Sequence, residues 1–120
     1  VQLAALQGDT GARRQVSSQT HKGLETMPVD SIRCFIAGQK YVTAYGEGAE
    51  LLLPDTLKDL EQEFAQSFVR THRNALVALE HIERLARDDK GWWVELKGVD
   101  HKPTVSRRHL AEVKERLLQR

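Results

Sequence analysis

The sequence predicts a mainly β domain of many short strands with two short helices. Short apolar runs recur along the chain, and glycine, proline or aspartate separates them after a few residues. Only two segments space their apolar residues as an amphipathic α-helix does. The chain has 120 residues, of which 40% are hydrophobic and 29% charged, which is enough for one domain with its own core.

The first half of the chain is predicted to contain five strands and one helix. Residues 1–12 end in two glycines and are typical of a helix remnant and a linker from an upstream domain. Because the chain starts with Val1 and not methionine, we expect a fragment of a longer protein. A helix is expected after Pro54, where Thr56 and Asp59 form a capping-box pattern. The predicted strands cover residues 14–20, 24–27, 31–36, 41–45 and 51–53.

The second half is predicted to contain strands up to residue 105 and then a terminal helix. Residues 68–77 are expected to form a strand, a turn and a second strand. A hairpin is expected from residues 82–87 and 92–96, closed by the turn at residues 88–91. Ser106 is the expected N-cap of a helix that runs from Arg107 to about residue 118 with its apolar residues on one face.

Two clusters of basic residues indicate a partner with a phosphate backbone. Arg70, His72, Arg73 and Asn74 crowd the middle of the run Phe68-Val69-Arg70-Thr71-His72-Arg73-Asn74-Ala75-Leu76-Val77. A second cluster stands in Val105-Ser106-Arg107-Arg108-His109-Leu110, where the terminal helix should begin. Residues 1–69 carry 6 Lys/Arg against 9 Asp/Glu, whereas residues 70–120 carry 12 against 8, so the positive charge is local. Together these features favour a DNA-reading surface built from loops.

Several classes of function are not expected. The carboxylate pairs Asp88/Asp89 and Glu61/Glu63 lie in a turn and on a solvated helix face, without a nucleophile, so no enzyme is predicted. The five histidines are scattered and have no cysteine pair beside them, so neither a metal nor another cofactor is expected. No run approaches the roughly 18 apolar residues of a membrane span. Cys34 is expected to be a buried thiol, and we expect a cytoplasmic protein.

A second hypothesis is a basic interaction module that binds RNA or a protein partner. The mild net charge of +1 and the pair Trp92-Trp93 support it, because exposed tryptophans stack on unpaired bases. Adjacent residues of a strand point to opposite faces, so we expect one tryptophan in the core and the other partly exposed.

Three motifs in order give the chain a specific resemblance to a known family. The run from Phe68 to Val77 is similar to the central motif of LytTR domains, and its residues most resemble those of the AlgR branch. The run Phe35-Ile36-Ala37-Gly38-Gln39-Lys40-Tyr41-Val42 and the run from Val105 to Leu110 resemble the other two motifs. The resemblance covers about residues 14–118. Asn74 and Ile36 depart from the family pattern, since many members have Ser at the first position and Glu at the second. The resemblance therefore does not predict the operator sequence.

The resemblance implies an elongated stack of small antiparallel sheets over residues 13–120 and an upstream receiver domain of a two-component response regulator. It also implies binding to direct DNA repeats as a homodimer, with loops entering successive major grooves. The base-facing loops then fall at Lys40 and Tyr41, at Arg73 and at Arg108.

The candidate DNA-binding residues are expected to have different roles. Arg73 and Arg108 are the best candidates for reading guanine, whereas Lys40 could contact either a base or a phosphate. Arg70 and His72 could contact phosphate or could hold the turn that presents Arg73. The complete set is Lys40, Tyr41, Arg70, His72, Arg73, Asn74, Lys102, Ser106, Arg107 and Arg108, in which Lys102 and Arg107 are expected to anchor phosphates and Ser106 to cap the helix or bind phosphate.

Overall fold

A computed structural model of the chain describes residues 13–119. The predicted helix remnant and linker in residues 1–12 lie outside this range. None of the helices within it is long and apolar enough to cross a membrane.

The described residues form ten strands and two α-helices, close to the elements that the sequence predicts. Most boundaries move by one or two residues, and Ser31 belongs to a 3-10 turn, not to a strand. The strands are β1 Gln15–Thr20, β2 Gly23–Pro28, β3 Ile32–Ala37, β4 Val42–Gly46, β5 Ala49–Leu53, β6 Phe68–His72, β7 Ala75–Ala78, β8 Ile82–Asp88, β9 Gly91–Leu96 and β10 Thr104–Val105. The helices are α1 Leu57–Glu63 and α2 Arg107–Gln119.

The strands pair into three antiparallel sheets, as the predicted fold class requires. The β1–β2 hairpin is separate, a five-stranded sheet has the order β5-β4-β3-β7-β6, and a three-stranded sheet has the order β10-β9-β8. The molecule measures 47 × 35 × 23 Å along its principal axes. An elongated stack of small sheets is therefore confirmed.

The central strands β3 and β7 of the five-stranded sheet pack against core clusters on both faces. Side chains alternate between the faces of a strand, and in β3 Phe35 packs into one core cluster while Cys34 packs into the other. The first cluster includes α1 residues Leu57 and Leu60, and the second includes Val94 of β9 and Val113 of α2. The three-stranded sheet and α2 thus cover the face opposite to α1.

The buried-thiol prediction for Cys34 is confirmed. The side chain has no exposed surface, and this burial raises its pKa to about 12. The thiol is therefore held in its neutral form at neutral pH.

Helix α1 begins as the sequence predicts. The backbone N–H of Asp59 donates to the hydroxyl oxygen of Thr56 at 3.1 Å, which satisfies one of the donors left free at a helix start. The helix ends at Glu63, and the ring of the following Phe64 lies parallel to that of Phe35, with 6.1 Å between centroids. Aromatic packing thus fixes α1 against β3.

The expected division of Trp92 and Trp93 between core and surface is only partly correct. Both side chains are half-buried. Trp92 packs against the second core cluster, and two long cationic side chains, Arg87 and Lys114, lie over its ring. The indole N–H of Trp93 donates to Glu95 at 3.3 Å. Cover from long polar side chains explains why neither tryptophan is fully buried or freely exposed.

Arg13 fastens the start of the described chain to α1. Its backbone N–H and its Nε both donate to Oε2 of Glu63 at 2.9 Å, and Nη2 donates to Glu63 Oε1 at 2.8 Å. Nη2 also donates to Asp55 at 3.0 Å. This arrangement holds the pKa of Glu63 below its usual range, chiefly through the hydrogen bond from Arg13.

Replacement of Arg13 by alanine should lower the free energy of unfolding by about 1 kcal/mol at pH 7. Solvent screening limits the value, because the Arg13 side chain is 40% exposed. Glu63 has a lowered pKa in the folded state, so this stability exists above the unfolded pKa of about 4.3 and disappears as the pH falls through the folded value. Urea denaturation of both proteins at pH 7 and near pH 2 checks this. An equal difference at both pH values would contradict it.

Candidate nucleic-acid interface

The β6–β7 turn presents Arg73 and Asn74 to solvent. His72 pairs with Ala75 across the hairpin, so only these two residues form the turn. Both are exposed, and the Arg73 side chain makes no ion pair or hydrogen bond with residues 13–119. Its guanidinium is available to an outside partner.

Arg70 lies behind this turn and is engaged within the molecule. Its Nε donates to the carbonyl of His72 at 2.9 Å, and its Nη2 donates to the carbonyl of Arg73 at 2.7 Å. Its Nη1 pairs with Glu61 of α1 at 2.6 Å, and the Arg70 side chain is only 19% exposed. The geometry favours the structural role of Arg70 over a contact with phosphate.

His72 and Asn74 add further bonds to the turn. The backbone N–H of Asn74 donates to Nδ1 of His72 at 3.2 Å, which requires that nitrogen to be unprotonated. The carbonyl of Asn74 accepts from the N–H of Ala37 at 2.8 Å. The second bond ties the turn to the end of β3.

Lys40 and Tyr41 occupy the loop next to this turn. The loop joins β3 to β4 and is closed by a 2.8 Å bond from the N–H of Gly38 to the carbonyl of Tyr41. Lys40 is exposed, and the Tyr41 side chain is 51% exposed. Because Ala37 bonds to the β6–β7 turn, both loops lie at one end of the five-stranded sheet.

A β-bulge brings the start of α2 to the same place. The β6–β7 register shifts between Arg70 and His72, which leaves Thr71 without a ladder partner. Its carbonyl accepts instead from the N–H of Ser106 at 2.8 Å. Ser106 directly precedes α2, as expected for the predicted N-cap, and Arg107 and Arg108 follow it on the exposed surface.

The electrostatics of His109 show how close the two basic motifs are. Burial lowers the pKa of His109, and the positive charges of Arg70 and Arg108 lower it further. Nδ1 of the ring and the hydroxyl of Ser106 are hydrogen-bonded at 2.7 Å. Neither Arg107 nor Arg108 forms an ion pair with a described residue.

Lys102 stands apart from the other predicted residues. It precedes β10, whereas Ser106 follows that strand. Lys102 lines a cavity of about 300 Å³ together with Trp93 and Thr104. The structure therefore brings the β3–β4 loop, the β6–β7 turn and the start of α2 together, whereas Lys102 lies outside this group.

Sequence reasoning missed two residues that organise this surface. The sequence places Glu61 only on a solvated helix face, and no local signal links it to Arg70 on the next strand. His109 could have been found, because Ser106 and His109 are three apart and such residues are neighbours at the start of a helix.

Three of the four carboxylates in the pairs Asp88/Asp89 and Glu61/Glu63 have structural partners. Oδ1 of Asp88 accepts from the N–H of Lys90 at 2.8 Å in the β8–β9 turn, while Glu61 and Glu63 pair with arginines. Among residues 13–119, no group of three or more His, Cys, Asp or Glu side chains could hold a metal ion.

Comparisons with known proteins identify the family of this domain. Residues 22–118 match the model of the LytTr DNA-binding domain. The positive alginate biosynthesis regulatory protein of Pseudomonas aeruginosa is 50% identical over 121 residues, which cover 95% of this chain and 49% of that protein. The chain thus spans about half the length of this curated relative.

A solved structure shares the fold. It is the LytTr DNA-binding domain of a Bacillus cereus protein described as a methyl-accepting/DNA response regulator, with a TM-score of 0.75 and 21% identity. The match covers 89% of this chain and 98% of that one. With 97 of its residues matched to the family model in the order that the three motifs predict, the chain belongs to the LytTR family of DNA-binding domains.

Proposed function

We propose that this domain binds duplex DNA sequence-specifically, as the output domain of a two-component response regulator that controls transcription. The observation that carries the proposal is the meeting of three basic segments at one end of the sheet, where Arg73 and Arg108 are exposed and form no ion pair with residues 13–119. A guanidinium fork matches the O6 and N7 acceptors of guanine in the major groove.

Different residues read the bases and bind the phosphates. Arg73 and Arg108 read base edges, and Lys40 contacts a base or a phosphate beside them. Arg107 and Lys102 hold phosphates, and the free N–H groups at the start of α2 add to that attraction. Arg70 and His72 keep the β6–β7 turn in shape, which their bonds within the turn support.

The intact protein is proposed to carry an upstream receiver domain and to bind direct repeats as a homodimer. The matched Pseudomonas aeruginosa protein is about twice as long as this chain and is named a regulatory protein. A duplex-binding regulator acts where the chromosome lies, so we also propose a cytoplasmic location.

Selection of duplexes from a random pool tests this function directly. The wild-type chain should enrich a short motif, and single strands of the same sequence should not compete with it. Enrichment of unpaired nucleic acid, or of no motif, would contradict the proposal. Preference for unpaired substrate is not expected, because Trp92 is already covered by Arg87 and Lys114.

A further inference from the structure

Two cations, one from β8 and one from α2, share the ring of Trp92 in β9. Cζ of Arg87 lies 5.3 Å from the ring centroid and Nζ of Lys114 lies 4.6 Å from it. The charges are thus no further apart than the sum of these distances, about 10 Å, which is close to one Debye length at physiological salt. Neither side chain forms an ion pair with residues 13–119.

A gain in fold stability explains why one cation lies over the ring, but it does not explain why two do. A single cation over an indole ring contributes about 0.5–1 kcal/mol at an exposed site. A second cation on the same ring adds repulsion, and no described carboxylate forms an ion pair with either cation. An anion bound close to both cations would offset that repulsion.

These two cations continue the candidate interface. Arg107 and Lys114 are seven residues apart, which is two helical turns, so they lie on the same side of α2. Arg107 also lines a cleft of about 520 Å³ with Arg87, Lys90 and Trp92. We name Arg87, Lys90, Arg107 and Lys114 the cationic flank.

The charge of the flank is only partly balanced. Asp88 and Asp89 line the cleft as well, and they are its only carboxylates. Within the cleft, three cations of the flank therefore face two anions, and one of these, Asp88, already accepts from the Lys90 backbone. Lys114 adds a fourth positive charge over the ring of Trp92, which lines the cleft. An anionic ligand would meet a positive surface.

We infer that the cationic flank binds phosphodiester groups of duplex DNA beyond the base pairs that Arg73 and Arg108 read. The inference rests on the proposed function and extends its footprint along α2 towards the β8–β9 turn. Trp92 holds Arg87 and Lys114 within about 10 Å of each other, and the DNA backbone supplies the charges that offset their repulsion. Such contacts strengthen binding without specifying sequence.

The test compares the chain with its Arg87→Gln/Lys114→Gln variant on two duplexes. One duplex carries only the selected motif, and the other extends it by about ten base pairs on each side, one helical turn. On the long duplex, loss of two phosphate contacts should reduce the slope of log affinity against log salt by about 1.8. Between 50 and 200 mM salt, wild-type affinity should therefore fall about 12-fold more than that of the variant. On the short duplex the slopes should agree.

Two matched variants separate charge from folding. Arg87→Lys/Lys114→Arg keeps both charges and should retain the wild-type slope. Lys22→Gln/Lys58→Gln removes two exposed cations from the β1–β2 turn and from α1, and it should also leave the slope unchanged. Thermal unfolding of each variant verifies the fold. If Arg87→Gln/Lys114→Gln fails to fold, the single variant Lys114→Gln replaces it, with an expected slope change of about 0.9.

Equal slopes of wild type and variant on the long duplex would overturn the inference. The inference would also be overturned if inorganic phosphate stabilised the wild type but not the variant while the duplex slopes stayed equal. In that case the flank would bind free phosphate and not the DNA backbone. The proposed function fails by a different result, namely that the wild-type chain enriches no duplex at all.

Discussion

Replacement of both Arg73 and Arg108 by alanine should abolish the preference of the domain for its selected duplex. Each guanidinium that reads a guanine contributes about 1–3 kcal/mol of discrimination, so the double variant should lose about 2–6 kcal/mol if the sites act independently. Both side chains are exposed and make no ion pair with residues 13–119, so their loss should leave the fold intact. Competition between the selected and a scrambled duplex measures the loss.

An exposed arginine away from the interface provides the control. Arg14 precedes β1; its backbone carbonyl accepts from Val29 at 2.9 Å, and its side chain bonds to none of residues 13–119. Arg14→Ala should keep the preference. If the double variant still distinguishes the two duplexes as the wild type does, Arg73 and Arg108 do not read the bases.

The sequence predicts those elements whose signals are local. Thr56 and Asp59 stand three residues apart, and that spacing alone indicates the start of α1, which the structure confirms. The β6–β7 turn and the start of α2 are also marked by neighbouring residues along the chain. The three motifs of the family then indicate the fold, because their order along the chain is specific.

Contacts between distant residues are not predictable in this way. Thr71 lies in a bulge, and its carbonyl binds Ser106, which is 35 positions away. All four residues of β7 are buried, since the strand lies between two core clusters, whereas a strand with one solvated face alternates. The cations over Trp92 come from β8 and α2, so its environment depends on the tertiary fold.

The pair of Glu61 and Arg70 gives a prediction that separates the two roles considered for Arg70. Arg70→Ala frees the carbonyls of His72 and Arg73, and Glu61→Ala removes the partner that orients the guanidinium. A loosened turn must be ordered again on binding, at about 1–2 kcal/mol for each residue fixed. Each variant should therefore bind the selected duplex about 10- to 100-fold more weakly, while its affinity for a scrambled duplex changes little.

The salt dependence of binding distinguishes this role from a phosphate contact. An Arg70 that only holds the turn leaves the slope of log affinity against log salt unchanged, whereas an Arg70 on a phosphate would lower it by about 0.9 and weaken all sequences alike. Glu63→Ala is the matched control, because Glu63 lies two residues after Glu61 on α1 and pairs with Arg13. It should reduce stability but keep the discrimination. Since the Glu61 carboxylate hydrogen-bonds to Arg70 and to no other residue among 13–119, a loss of discrimination in Glu61→Ala at constant slope indicates that the shape of the turn controls how Arg73 meets the DNA.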